Sequence, residues 1–298
     1  MCLHEEARVA DILTLPGASP LDDPARARVA AVLEAGGVVV LPDRPFPLSP
    51  EEQALADPAV LSPKAKNVSF DPATGRLSGH ALEGGRLETL AAMTQRYAAF
   101  AEALLGELAP GYAAAAARRR TSFRPGAIDT RALSPRKDDK RLHVDAFPSS
   151  PVQGRRILRV FTNVDPGGAE RVWRIAEGGF ERYAAHFRPR LKGKSRLELA
   201  ALERLGVTRG RRTPYDQAML ELHDLAKLDE RWQADAPRRE FALPAGASWM
   251  VFTDGAPHAA MRGRNAFEQT WLMPVAGMRD AGRSPLRILE RMLERPLV

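Results

Sequence analysis

The sequence contains almost no cysteine and no long apolar run. Cys2 is the single cysteine among 298 residues, which excludes a disulfide framework and a cysteine-based zinc site. No stretch approaches the ~18 consecutive apolar residues of a transmembrane helix, and the first twenty residues, with their early acids, do not resemble a signal peptide. These absences predict a protein of a reducing, cytoplasmic compartment that is at most peripheral at the inner face of an inner membrane.

Aromatic residues are also few, at 6% of the chain. No RNA-binding aromatic signature is present, so nucleic acid is not an expected partner despite a net charge of +7 and a pI near 9.9. The positive charge favours another acidic partner, an anionic lipid or an anionic small molecule. Arginine enrichment without a function is the alternative explanation, and a non-enzymatic basic binding protein therefore stays open.

The periodicity of apolar residues changes along the chain. Helical spacing dominates at first, and the longest helix is predicted over 86–108. Short strand-like runs separated by Pro, Gly and Asp turns follow. We predict a single domain, 1–298, that is mainly β with flanking helices (α+β). Its predicted parts are an N-terminal helical part (about 1–120), a β core (about 121–275), a helical insertion (about 180–235), a C-terminal helix (285–295) and two hairpins (66–79 and 240–254).

Two of the six histidines lie at the ends of strand-like runs, where they could bind a metal. His143 and Asp145 are two residues apart, so on an extended segment both side chains project to one face. His258, after a later strand, can complete a facial triad of two imidazoles and one carboxylate, a set typical of non-heme Fe(II) sites. From these residues alone, a zinc hydrolase and a cupin-like binder remain open.

Several longer stretches resemble the Kdo hydroxylase family, the Fe(II)/2-oxoglutarate-dependent oxygenases that act on the 3-deoxy-octulosonic sugar of bacterial lipopolysaccharide. The resemblance covers about residues 66–274, and HVDAFPS and FTDGAPHAA are its specific blocks. The stretches that carry it are KNVSFDPATGRLSG, TSFRPGAI, SPRKDDKRLHVDAFPSSP through GRRILRVFTNVDP, VWR, TPYDQAMLELHD, and SWMVFTDGAPHAAMRG into EQTWLMP.

The resemblance implies a double-stranded β-helix, or jelly-roll, core and the metal ligands His143, Asp145 and His258. It implies Fe(II), with 2-oxoglutarate and O2 as co-substrates. The expected reaction is hydroxylation of the deoxy carbon 3 of Kdo in Kdo-lipid A, coupled to decarboxylation of 2-oxoglutarate to succinate and CO2. Alternatives are an oxygenase of another acidic sugar or small metabolite, and a basic binding protein with a vestigial triad.

The far carboxylate of 2-oxoglutarate needs a cation, preferably a bidentate arginine. Strand alternation in RILRVFTNV places Arg159 and Asn163 on the face predicted to line the barrel. We predict Arg159 as the partner, since a buried arginine requires an anion, with Arg262 as second candidate. Gln269 occupies the later position where related oxygenases often carry an arginine. An internal salt bridge of Arg159 to Asp or Glu is the alternative.

An acidic glycolipid also needs cations on the protein. The predicted substrate-binding residues precede the triad or follow it on a later strand. They are Arg136, Lys137, Lys140, Arg141 and Arg174, with Arg171 as a further candidate. For each of them, a solvated charged surface is the alternative interpretation. The C-terminal helix carries Arg287, Arg291 and Arg295 opposite its apolar face. This pattern fits contact with anionic lipid, or a helix packed on a sheet edge or in a dimer.

Overall fold

A computed structural model of the chain describes residues 12–17, 21–128 and 133–298. Sequence interpretations that concern residues 1–11, including Cys2 and the comparison with a signal peptide, lie outside the described residues. Within them, no helix is long and apolar enough to cross a bilayer.

Two β-sheets face each other. The larger sheet has the order β1-β2-β9-β6-β11-β5-β3-β4 and the smaller has the order β10-β7-β8. The strands are β1 Ile12–Thr14, β2 Val38–Leu41, β3 Val68–Asp71, β4 Arg76–Ser78, β5 Ala117–Arg124, β6 Arg156–Asn163, β7 Arg171–Ala176, β8 Arg238–Leu243, β9 Ser248–Phe252, β10 His258–Arg262 and β11 Ala266–Met273. The two sheets form the jelly-roll core, which confirms the predicted fold class.

Helices cover the outer face of the larger sheet and one end of the core. Their bounds are α1 Asp23–Glu34, α2 Pro50–Gln53, α3 Gly84–Leu108, α4 Pro110–Ala115, α5 Gly179–Phe187, α6 Arg196–Arg204, α7 Pro214–Leu228, α8 Glu230–Asp235 and α9 Pro285–Leu293. Apolar side chains of α1 and α3 pack on outward residues of β6 such as Leu158 and Val160. The helices α5, α7 and α9 form a second apolar cluster around Leu142 and Val144.

Strand alternation explains how the space between the sheets is filled. Leu158 and Val160 face the helices, whereas Phe161 faces inward and packs against Trp173 and Trp249, with ring centroids 5.0 and 5.1 Å away. The predicted two-sided character of this strand is therefore confirmed, and Arg159, 8% exposed, lies on the inward side with Phe161.

Two local predictions differ from the structure. The predicted hairpin over 240–254 is wrong, because β8 pairs with β7 in the smaller sheet while β9 pairs with β2 and β6 in the larger one. A connection between facing sheets has the same strand-turn-strand pattern in sequence as a hairpin. The residues around His143 form an isolated bridge to His258 rather than a strand. The predicted hairpin over 66–79 is confirmed, because β3 pairs with β4 in antiparallel register.

Candidate metal centre

The backbone brings the two histidines together at one end of the jelly roll. The His143 amide donates to the His258 carbonyl at 3.0 Å, and the His258 amide donates to the His143 carbonyl at 2.8 Å. The Asp145 amide donates to the Thr253 carbonyl at 2.8 Å, in the turn that leads to His258. These three hydrogen bonds fix two segments that are more than 100 residues apart in sequence.

The ligand-type atoms of His143, Asp145 and His258 all lie within 4.8 Å of one another. Nδ1 of His143 is 2.7 Å from the Arg141 carbonyl oxygen, and Nδ1 of His258 is 2.9 Å from the Ala256 carbonyl oxygen. A carbonyl only accepts, so each Nδ1 carries the proton and each Nε2 keeps its lone pair. This orientation by a backbone carbonyl is the arrangement that metal-binding histidines adopt in proteins.

The charge state of the three side chains also suits a cation. Burial lowers the pKa of His143, and the neighbouring His258 lowers it further. Burial likewise lowers the pKa of His258. Burial alone would raise the pKa of Asp145, but Arg159 and the two imidazoles outweigh it and hold this pKa well below its usual range. Two neutral imidazoles and one carboxylate therefore converge in one buried space.

One carboxylate oxygen of Asp145 lies beside Arg159, and the other faces the imidazoles. Its Oδ2 lies 3.2 Å from Nη2 of Arg159 but is buried without a hydrogen bond, and its Oδ1 is 3.7 Å from Nε2 of His143. A carboxylate without a well-formed hydrogen bond, next to two imidazole lone pairs, fits a divalent metal ion. The ligand types are those of a non-heme Fe(II) site.

Arg159 belongs to a chain of alternating charges between the sheets. Besides Asp145, it contacts Oε1 of Glu268 at 2.9 Å through Nη1. The other Glu268 oxygen lies 2.9 Å from Nη2 of Arg124. The structure thus shows the internal ion pair that was the alternative for Arg159, and both of its carboxylate partners belong to the protein.

Arg171 is a buried cation that has no ion pair with a carboxylate in the described residues. It is 4% exposed, and its Nη1 donates to the Arg264 carbonyl at 3.2 Å, while its Nε has no partner in the described residues. No acidic oxygen of those residues lies within ion-pair distance of Arg171. Burial lowers the pKa of Arg171 to about 9, and Arg124 adds to the effect.

A cleft begins beside the triad and reaches Arg171. Ala260 lines it, two residues beyond His258 on β10, and the cleft measures about 640 Å³ including its open mouth. Trp173 stacks on the His258 ring with centroids 5.1 Å apart, and Arg171 is two residues from Trp173 on the same face of β7. Since two strand residues span about 6.6 Å, Arg171 lies one such step from Trp173, the residue that stacks on His258. The charged residues of the cleft are Lys66, Arg124, Asp138, Asp139, Arg171 and Arg264.

The other predicted cofactor-binding residues lie apart from this group. Asn163 is fully buried, but its amide donates to the carbonyls of Ala169 and Leu243. Gln269 points to the opposite face of β11 from Glu268 and contacts Thr121 at 2.5 Å. Arg262 is exposed at the end of β10.

The predicted substrate-binding residues are mostly paired at the surface. Arg136 contacts Asp224 at 3.3 Å, Arg141 contacts Glu230 at 2.6 Å, and Arg174 contacts Glu240 at 2.7 Å on the outer face of the smaller sheet. Lys137 and Lys140 have no ion pair within the described residues. Their role in substrate binding stays a prediction.

Sequence reasoning missed several residues around the triad. Glu268 could have been found, because alternation in AFEQTWLM places it on the same face as Thr270, which pairs with Arg159. Lys227 gives no comparable signal. It is 2% exposed and contacts Asp139 at 3.3 Å, but only the docking of α7 brings it there. The same helix places His223 edge-on to His143, with ring centroids 5.3 Å apart.

A jelly roll that holds two imidazoles and a carboxylate at one end defines the class of non-heme iron oxygenases. The chain belongs, more specifically, to the family of 3-deoxy-D-manno-oct-2-ulosonic acid (Kdo) hydroxylases, which it matches over residues 19–296. A comparison with curated proteins gave no match.

Solved structures of the Kdo hydroxylase KdoO, a non-heme Fe(II) alpha-ketoglutarate dependent dioxygenase, are similar over nearly the full chain. The complex with alpha-ketoglutarate and Fe(III) has a TM-score of 0.92 and 40% identity, and it covers 96% of this chain and 97% of that chain. The complex with cobalt(II) has a TM-score of 0.93 and 41% identity with the same coverage. The complex with succinate and Fe(III) has a TM-score of 0.91 and 40% identity.

Proposed function

We propose that this chain hydroxylates the deoxy carbon 3 of Kdo in Kdo-lipid A as an Fe(II)/2-oxoglutarate-dependent dioxygenase. The observation that carries the proposal is the convergence of two Nε2 lone pairs and the Asp145 carboxylate inside the jelly roll. Membership of the Kdo hydroxylase family supports the sugar. Similarity to KdoO, solved with alpha-ketoglutarate, supports the co-substrate.

His143, Asp145 and His258 would hold the metal ion. When bound, Fe(II) with 2-oxoglutarate and O2 supplies the oxidising power to hydroxylate a C–H bond, with release of succinate and CO2. The chain itself contributes placement and a dry pocket. The carbonyls of Arg141 and Ala256 keep both imidazoles in the ligating tautomer, and Arg159 turns one oxygen of Asp145 toward them.

We assign the far carboxylate of 2-oxoglutarate to Arg171 rather than to Arg159. Arg159 already contacts Asp145 and Glu268, whereas Arg171 is buried without an anion and lines the cleft beside the triad. A dicarboxylate that reaches from the metal site into this cleft would supply the missing charge. Lys66 and Arg264 line the same cleft and are placed to bind the acidic sugar, with Lys137 and Lys140 as further candidates.

We also propose that the whole chain acts as one domain. Strands from the N-terminal part, such as β2, pair with β9 near the C-terminal end, and β5 pairs with β11. Removal of either part would therefore leave the larger sheet incomplete. Since the proposed substrate carries a lipid anchor, we place the reaction at the cytoplasmic face of the inner membrane.

The proposal is tested by anaerobic titration with Fe(II) and 2-oxoglutarate, followed by succinate release on addition of Kdo-lipid A and O2. A product heavier by one oxygen on the Kdo residue is expected. The variant His143→Ala should lose metal-dependent turnover, whereas His186→Ala, which changes a histidine of α5 away from the triad, should keep it. Full activity of His143→Ala would refute the triad, and turnover without oxygen on Kdo would point to another acidic substrate.

A further inference from the structure

The positive charge of the protein is concentrated in one segment. Residues 188–212, called the basic segment below, contain nine Lys and Arg and two Glu. The whole chain has 44 basic and 37 acidic residues, so the remaining 273 residues carry 35 of each sign. The net charge of +7 is therefore a property of this segment and not of arginine enrichment along the chain.

Most of these cations point into solvent without a partner. Within the described residues, five exposed side chains of the basic segment have no ion pair: Arg188, Lys192, Arg204, Arg209 and Arg211. Arg190 pairs with Asp229, and Lys194 lies 3.9 Å from Glu198. Arg212 is the exception, since it is buried against the Pro148 carbonyl and Gln217.

The same segment exposes large apolar side chains. Leu197 is 84% exposed, Leu205 is 76% exposed and Val207 is 53% exposed, and they form the majority of the exposed large hydrophobics in the described residues. Leu199, on the other side of α6, is buried at 2%. The helix therefore packs on the protein through Leu199, while Leu197 and Leu205 remain largely exposed in the part of the chain that the structure describes.

The basic segment is joined to the loop that follows the metal ligand Asp145. The Arg209 amide donates to the Ser149 carbonyl at 2.8 Å, and Arg212 donates to the Pro148 carbonyl at 2.5 Å. Within that loop, the Phe147 ring lies 5.7 Å from the guanidinium carbon of Arg159. A surface that binds the basic segment would thus lie close to the loop that follows Asp145.

We propose that the basic segment docks the protein on an anionic bilayer, with its free Lys and Arg on lipid phosphates and with Leu197, Leu205 and Val207 inserted among the acyl chains. Exposed apolar residues flanked by basic ones are typical of interfacial membrane binding. A nucleic acid would favour aromatic side chains for base stacking, and the segment contains none.

This assignment differs from the one that the sequence suggested. In the C-terminal helix α9, Arg287 contacts Glu290 at 2.6 Å and Arg291 lies 3.8 Å from Glu181. These two arginines are partly neutralised, whereas five cations of the basic segment have no ion pair in the described residues. The docking goes beyond the proposed hydroxylation, since it depends on no substrate of the site.

The test is co-sedimentation of the full chain with vesicles of phosphatidylcholine, with and without phosphatidylglycerol, at low and high salt. The charge variant is Lys192→Gln with Arg204→Gln and Arg209→Gln, and the apolar variant is Leu197→Ser with Leu205→Ser. The matched control is Arg76→Gln with Arg86→Gln and Arg119→Gln, three exposed arginines outside the segment that lack an ion pair in the described residues. Cobalt(II) titration of every variant reports whether the site is intact.

The unmodified chain should bind the anionic vesicles and not the neutral ones, and salt should weaken the binding. Each neutralised cation near the surface weakens binding about fivefold, so the charge variant should lose on the order of a hundredfold. The apolar variant should lose about tenfold or more, and the control variant should bind as the unmodified chain does. Equal losses in the control and charge variants, or binding to RNA in place of vesicles, would overturn the proposal. Hydroxylation of Kdo can fail without affecting any of these results.

Discussion

Arg171→Met should change ligand affinity and protein stability in opposite directions. Loss of a buried cation that faces a carboxylate costs about 2–4 kcal/mol, or roughly 30- to 1,000-fold in the Kd of 2-oxoglutarate. The unliganded protein should gain about 1–3 kcal/mol, because a buried charge without a counter-ion is replaced by an apolar side chain. The lowered pKa of Arg171, about 9, reflects the same burial cost.

The measurements are calorimetric titration of the cobalt(II)-loaded protein with 2-oxoglutarate and thermal unfolding of the metal-free protein. A 2-oxo acid without the far carboxylate, 2-oxobutyrate, should bind the unmodified chain and the variant equally. Arg174→Met is the matched control, since Arg174 lies on the same strand but faces outward to Glu240. An unchanged Kd for 2-oxoglutarate in Arg171→Met would refute the assignment, as would an equal loss with 2-oxobutyrate.

Three further outcomes follow from the site. Arg159→Met should weaken cobalt(II) binding about 10- to 100-fold, the usual effect of losing a group that orients a metal ligand. A titration in which only 2-oxoglutarate binding weakened would instead indicate that Arg159 binds the far carboxylate of 2-oxoglutarate. The metal-free protein should lose stability as the pH falls below 6.5. His143 and His258 have lowered pKa values, so they stay neutral in the folded protein but take up protons when it unfolds, which costs up to about 1.4 kcal/mol of stability per pH unit for each histidine. Urea unfolding at several pH values checks this, and an unchanged pH dependence of the unfolding free energy in His143→Gln would contradict it. Gly255→Ala should lower the free energy of unfolding by about 1–3 kcal/mol and weaken metal binding, because the new methyl group would lie 2.5 Å from Nη2 of Arg156 in the turn before His258. A thermal shift assay with and without cobalt(II) measures both effects. Retained metal affinity would show that the turn can shift without moving His258.

The strand patterns predicted much of the core because alternation is a local property. Two-residue spacing identified His143 with Asp145, and the inward face of β6 followed from Arg159 and Phe161 alternating with apolar residues. The hairpin over 240–254 failed for a physical reason, since strand pairing across sheets is decided by the twist and closure of the barrel. No local pattern distinguishes Leu243 and Ser248 as the ends of strands in different sheets.

The role of Arg159 shows a second limit of prediction from the sequence. Its burial was predictable, and a buried arginine does require an anion, but the anions that satisfy it come from two other segments of the chain. Glu268 lies more than 100 residues away in sequence, and Asp145, a proposed metal ligand, comes from a loop. Arg171 showed no sign in sequence that distinguished it from Arg174, because the absence of a partner is visible only when the surrounding residues are placed.

The charges between the sheets divide into two sets with different tasks. Arg159, Glu268 and Arg124 alternate with Asp145, so that each buried charge has an opposite neighbour within the protein and the carboxylate ligand is oriented before any metal arrives. Arg171 is left out of this alternation, and burial lowers its pKa although Glu268 and Asp139 offset part of that effect. A site that must bind and release a dicarboxylate in every turnover needs one cation that the protein does not itself satisfy, and an excess of protein carboxylates around Arg171 would compete with the co-substrate. On the proposed assignment, the absence of an ion pair at Arg171 would make the cleft selective for a diacid, and the bound ligand would offset the cost of burying this cation.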